Sequence, residues 1–210
     1  MELNQVEVTE KLLEINTIKI QPNNPFTWAS GWKSPIYCDN RKILSYPETR
    51  TYIRDRFVDV IREKYPKAEV IAGVATGAIA MGVLVAEQLG LPFIYVRSKP
   101  KGHGLENLIE GDLKPFQKVV VIEDLVSTGI SSLKAAEAVN NFGGDVVGMV
   151  SIFTYNFPHA RENFRKAGIE LTSLSRYQIL IDLSLEKGEI TKDQIDSLLE
   201  WREDPANWGK

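Results

Sequence analysis

The chain is short of several things, and each shortage excludes something. Among its 210 residues there is one cysteine, Cys38, so no internal disulfide forms and a reducing compartment suits it. No low-complexity segment, fixed-period repeat or linker parts the sequence into separate domains. No apolar stretch approaches the length of a membrane span, and the acidic, polar N-terminus lacks the pattern of a secretion signal. Positive charge is also in deficit: 25 Lys and Arg against 28 Asp and Glu give a formal net charge of −3, which argues against broad nucleic-acid binding. These absences lead us to expect a cytoplasmic protein with neither a membrane nor a nucleic acid as partner. What remains is ordinary for a globular chain, 43% hydrophobic and 25% charged. That is enough for one α/β domain over residues 1–210 with a full core.

Periodicity organises the chain. Val6 to Ile15 reads as a short amphipathic helix, and Ile18 and Ile20 flanking Lys19 suggest a brief strand. A stronger helix spans 47–64, with Pro47 suited to a first turn and Ile53, Phe57, Val60 and Ile61 on one face. Strands then alternate with helices: Val70 to Gly73, Ile79 to Leu89 ended by Gly90, Phe93 to Val96, Val119 to Ile122, Ser132 to Asn141, and Val146 to Phe153. Such alternation predicts a central parallel sheet flanked by helices. Ligands in such sheets gather outside the carboxyl ends of the strands. Near the C-terminus, Thr191-Lys192-Asp193-Gln194 has the pattern of a capping box opening a helix through Trp201.

The densest chemistry lies at residues 119–132. An apolar run suited to a strand buried on both faces is followed by Glu123 and Asp124, and then by Leu125, Val126, Ser127, Thr128, Gly129, Ile130 and Ser131 before a helix. A helix N-terminus carries unpartnered amides and partial positive charge, which attract phosphate. Ser127, Thr128 and Ser131 add hydroxyl donors, and Gly129 lets the backbone curl around an anion. The two acids would repel a phosphate, but they accept hydrogen bonds from vicinal hydroxyls. A sugar phosphate offers both groups. Adjacent acids and a hydroxyl-rich turn are also common as solvated surface, but here strand, acids, turn and helix come in one order.

A second region supplies cations. Arg97, Lys99, Lys101 and His103 alternate within a connection broken by Pro100, Gly102 and Gly104. It is longer than compact domains usually carry without a use. Two readings stand: a solvated charged loop, or a basic arm that closes over a polyanion. Gly73 to Ala78 is small enough for a backbone to approach a ligand, and equally for a strand to pack on a helix. Between Phe26 and Arg41, aromatic residues stand beside Ser30, Gly31 and Lys33; they suit either a core or a stacking face for a planar ring. His159, beside Pro158, reads as a surface residue.

Residues 123–132 resemble the signature of the type I phosphoribosyltransferases, which bind 5-phosphoribosyl 1-pyrophosphate (PRPP). The run Arg97-Ser98-Lys99-Pro100-Lys101-Gly102-His103-Gly104 resembles the catalytic loop of the orotate phosphoribosyltransferases, and Phe26 to Arg41 resembles the hood over their base site. Together these motifs cover roughly residues 20 to 155, in the family's order. The resemblance implies the type I fold with a small N-terminal hood over about residues 20–45. It implies transfer of the phosphoribosyl group to orotate, with magnesium held mainly through PRPP rather than by protein ligands. PRPP contacts would come from Arg97, Lys101, His103 and the span Glu123, Asp124, Leu125, Val126, Ser127, Thr128, Gly129, Ile130 and Ser131. Lys101 and Asp124 would be catalytic, and Ser127 and Lys33 would hold orotate. A homodimer is implied, with Arg97, Lys101 and His103 serving the neighbouring subunit. The chain departs from the pattern at Ala29, Ser98, Ile130 and Tyr155-Asn156. Two alternatives stay open: transfer to another nucleobase, or a non-catalytic PRPP-sensing regulator.

Overall fold

Burial on both faces of one sheet organises the molecule. In the computed structural model, which describes residues 4–28, 30–99 and 108–209, Val119, Val120, Val121 and Ile122 are all fully buried. Successive side chains of a strand point to opposite faces. Val120 and Ile122 therefore join one core, and Val119 and Val121 join another.

The elements run α1 (Gln5–Glu14), β1 (Ile18–Ile20), β2 (Phe26–Thr27), β3 (Lys33–Ser34), β4 (Ile36–Cys38), a 3-10 helix (Asn40–Ser45), α2 (Pro47–Lys64), β5 (Val70–Val74), α3 (Ile79–Leu89), β6 (Phe93–Val96) and β7 (Ile109–Glu110). There follow β8 (Lys118–Val126), α4 (Ile130–Asn141), β9 (Asp145–Thr154), α5 (Pro158–Ala167), β10 (Leu171–Arg176), α6 (Tyr177–Glu186) and α7 (Lys192–Glu203). The main sheet has six strands in the order β10-β9-β8-β5-β6-β7. All neighbours pair in parallel except β7, which runs antiparallel to β6. One face is covered by apolar residues of α1, α2, α3, α6 and α7, and the other by those of α4 and α5. This is the expected α/β architecture. No helix among the described residues is long and apolar enough to cross a membrane.

The hood region builds two small antiparallel pairs, β1 with β4 and β2 with β3. The expected boundaries shift in informative ways. β8 does not stop before the acids: Glu123, Leu125 and Val126 pair with Ser151, Phe153 and Thr154 of β9. Helix α4 starts at Ile130 rather than Ser132, which puts Ser131 in its first turn. At the C-terminus, the Gln194 side chain accepts the Thr191 N–H at 2.9 Å, as the capping-box pattern requires.

His159, which reads as a surface residue beside Pro158, is half-buried. Its ring stacks on Phe157 at 5.3 Å with an interplanar angle of 18°. Its Nε2 is buried with no hydrogen-bond partner among the described residues, and burial lowers its pKa.

Candidate active site

The carboxyl ends of β5, β6 and β8 open into a cleft of about 830 Å³. Its walls include Val74 to Gly77 from the turn after β5, Val96 to Ser98 after β6, and Glu123 to Leu125 of β8. The first face of α4 supplies Ser131, Lys134, Ala135 and Ala138, and the exit from β4 supplies Cys38, Asp39 and Arg41. The position matches the rule for parallel sheets.

The two acids sit in unequal surroundings because a strand sends neighbouring side chains opposite ways. Glu123 is 5% exposed. Its carboxylate accepts the Ser132 hydroxyl at 2.7 Å and the Asp124 N–H at 3.1 Å. Burial, then the charge of Asp124, push its pKa well above the ordinary carboxylate range. Asp124 is half-buried and lines the cleft. Its carbonyl accepts the Asn40 side-chain N–H at 2.7 Å, which ties the end of the hood to the strand. Beside it, Asp39 and Arg41 form a 2.6 Å ion pair, and that bond holds the Asp39 carboxyl below its usual range. Burial and Asp124 push the Cys38 thiol pKa upward, which leaves it protonated and a poor nucleophile.

Gly77 explains one ambiguity of the sequence. A Cβ built there would meet the Asp124 carboxylate, with Oδ1 at 2.7 Å, so this glycine makes room for the acid. Gly73 has a different reason: a Cβ would meet the Ala78 carbonyl at 2.9 Å and the Phe93 ring at 3.0 Å. Strand-to-helix packing accounts for Gly73, and approach to the cleft accounts for Gly77. The Ala75–Thr76 peptide between them is cis.

The turn from Ser127 to Ser131 is braced from behind by α5. Asn163 donates to the Thr128 carbonyl at 3.2 Å. Gly129 has φ +78°, and a Cβ there would lie 2.7 Å from the Phe164 ring. Both facts require glycine. Gly129 caps α4 without a side-chain hydrogen bond, and the Leu133 N–H bonds to the Gly129 carbonyl at 2.9 Å. The amides of Ser131 and Ser132 therefore remain available to an anion.

Of the residues singled out in the sequence, Arg97, Glu123, Asp124, Leu125 and Ser131 meet in the cleft. Arg97 also pairs with Glu110 at 3.3 Å. Val126 is fully buried in the core of the α4 face, so only its backbone faces the turn. Ser127, Thr128, Gly129 and Ile130 shape the turn rather than the cleft wall. Lys33 lies on the hairpin outside the cleft wall, where its Nζ donates to Thr27 Oγ1 at 2.9 Å. Lys101 and His103 lie outside the described residues. Sequence reasoning missed Lys134, which follows Ser131 at the spacing of one helical face, a signal available once α4 begins at Ile130. It also missed Asn163 and Phe164, whose roles depend on contacts across the fold.

Comparison with known proteins agrees with this geometry. Residues 42–175 match the family model of the phosphoribosyl transferase domain. The chain is 59% identical over 202 residues to an orotate phosphoribosyltransferase of Porphyromonas gingivalis, covering 96% of each. The solved orotate phosphoribosyltransferase of Aeropyrum pernix superposes with a TM-score of 0.75 at 26% identity, over 87% of this chain and 98% of that one. UMP synthase of Leishmania donovani gives a TM-score of 0.78 at 27% identity, over 94% of this chain but only 43% of the longer protein. With fold, cleft and sequence in agreement, the chain belongs to the orotate phosphoribosyltransferases of the phosphoribosyl transferase domain family.

Proposed function

We propose that this chain transfers the phosphoribosyl group of PRPP to orotate, giving orotidine 5′-monophosphate and pyrophosphate. The observation that carries the reading is one strand–turn–helix unit presenting Asp124 to the cleft beside the uncapped start of α4. A diol and a phosphate on one pentose fit those two features together. The 5′-phosphate takes the amides of Ser131 and Ser132 and the hydroxyls of Ser127, Thr128 and Ser131. Asp124 accepts from the ribose hydroxyls, and Glu123 orders the first turn of α4 through Ser132.

In the reaction, orotate N1 gives its proton to solvent water and bonds to ribose C1. The C1–O bond breaks, and its electron pair leaves with pyrophosphate. Positive charge grows on the ribose and negative charge on the leaving group, so catalysis rests on alignment and electrostatics. Asp124 stabilises the former. Arg97, which lines this cleft, and Lys101 and His103 neutralise the latter, with the loop that carries Lys101 and His103 serving the neighbouring subunit of a homodimer. Magnesium fits this donor set as an ion held chiefly by substrate oxygens, with Asp124 the open carboxylate nearest the diol, because Glu123 is engaged by Ser132. Bound there, it would polarise pyrophosphate oxygens. Orotate lies under the hood, near Lys33 and Ser127.

Mixing the protein with orotate, PRPP and magnesium and following orotate absorbance tests the reading. Loss of absorbance with one pyrophosphate released per orotate is expected. Turnover of adenine or uracil but not orotate would replace the acceptor, and no turnover of any base would overturn the reading.

A further inference from the structure

The hood is fastened from the opposite end of the sequence. Trp201 of α7 is fully buried, and a buried indole needs a partner for its N–H. That partner is the carbonyl of Lys33 in β3, at 3.2 Å. Trp28 does the same from within the hood, donating to the Ile36 carbonyl at 3.1 Å. The two indoles thus hold neighbouring points of one backbone segment, which continues into Cys38, Asp39 and Arg41 on the cleft wall.

The rings form a continuous stack. Trp28 meets Trp201 edge-on at 5.7 Å and Tyr155 at 5.1 Å, and Tyr155 meets Trp201 at 5.4 Å. Tyr155 follows β9 directly, and its N–H donates to the Val126 carbonyl at 3.1 Å. The stack therefore ties hood, C-terminal helix and sheet rim together. α7 itself is seated by the Tyr177 hydroxyl, which donates to the Leu198 carbonyl at 2.6 Å. The phosphate turn is braced by Asn163 and Phe164 of α5. α7 meets the lead-in to α5, where Trp201 contacts the Phe157 ring at 5.3 Å and Arg202 donates to the Asn156 carbonyl at 3.3 Å.

We propose that Trp201 is a positioning residue for the base subsite, with α7 acting as a latch that sets the hood over the cleft. This rests on the transfer reaction proposed above and specifies which part of the site α7 governs. Because α7 bonds the hood backbone directly, whereas the phosphate turn is braced by side chains of α5, loosening α7 should weaken the grip on the base more than that on PRPP.

The test is Trp201→Phe, which keeps a ring in the stack and removes the N–H. KM for orotate should rise on the order of tenfold, about 1.4 kcal/mol and the scale of one lost buried hydrogen bond. KM for PRPP should stay within about twofold. Tyr177→Phe, which loosens the seat of α7 without touching the hood, should raise KM for orotate by a smaller factor. It carries the test if Trp201→Phe fails to fold. A lowered Tm with both KM values unchanged would overturn the latch and leave α7 a purely structural helix. Hydrogen exchange over residues 26–38 needs no turnover. Faster exchange in Trp201→Phe supports the latch even if wild-type protein proves inert toward orotate, whereas unchanged exchange counts against it.

Discussion

Gly77→Ala separates the fold from the chemistry. The added methyl group would stand 2.7 Å from Asp124 Oδ1, where ordinary contact begins at 3.4 Å. The carboxylate must therefore retreat by roughly an ångström, a displacement large enough to matter because alignment supplies much of an enzymatic rate. Its backbone cannot follow, being held in β8 and by Asn40 at 2.7 Å, so the side chain rotates away from the cleft. A half-exposed carboxylate turns at little expense to the fold, and Tm should fall by no more than a few degrees. The ribose, however, loses its acceptor. Removing one preorganised polar group from a transition state lowers the rate by about 10² to 10³, so kcat/KM for PRPP should fall ~10²-fold, or about 2.7 kcal/mol. Initial rates by orotate absorbance at saturating orotate and varied PRPP measure this. The double variant Gly77→Ala/Asp124→Ala should be no worse than Asp124→Ala alone, since the glycine acts only through the acid. Losses that multiply, or a Gly77→Ala enzyme within threefold of wild type, would refute the reasoning.

Three further expectations can be tested directly. Lys101→Ala should lower kcat by on the order of 10² at saturating PRPP, the scale of one lost transition-state donor; an unchanged kcat removes Lys101 from the reaction. Mixing Lys101→Ala subunits with Asp124→Ala subunits should restore part of the activity, because hybrids would hold one intact site, and verified heterodimers without recovery would count against a shared site. Glu123 has a folded pKa raised above its ordinary 4.5, so the fold binds more protons there than the unfolded chain. Its contribution is complete below about pH 4.5 and declines as pH rises through the raised value. Glu123→Gln should accordingly gain Tm relative to wild type as pH is raised from 5 to 8, and a constant difference would show that the carboxyl does not titrate in this window.

Much of the fold was legible because the sheet is buried on both faces. Val119 to Ile122 and Val70 to Gly73 announced themselves as apolar runs, and Gly90 and Pro47 marked helix ends. The turn from Ser127 to Ser131 was legible because its hydroxyls and glycine are contiguous. What escaped depends on partners distant in sequence. β8 continues past the acids because β9 pairs with it, and burial of Glu123 is tolerated because Ser132 meets its carboxylate. α5 is polar on average, and although its buried residues Ala160 and Phe164 share one face, so few apolar side chains mark it that it passes for a charged surface segment. The hood aromatics read as core or as ligand surface, with core the more common fate of such residues. Trp28 packs in the core against Trp201 and Tyr155, while the backbone beyond it reaches the cleft.

Glu123 and Asp124 are neighbours on one strand, and their hydrogen bonds give that adjacency a metric consequence. Through Ser132, the buried acid pins where α4 begins, while the half-buried one opens to the cleft. The interval between the start of α4 and the Asp124 carboxylate is thus set by one short covalent span rather than by a hinge. On the proposed reaction a phosphorylated pentose has to match that interval, and a sugar lengthened by one carbon should engage only one end at a time.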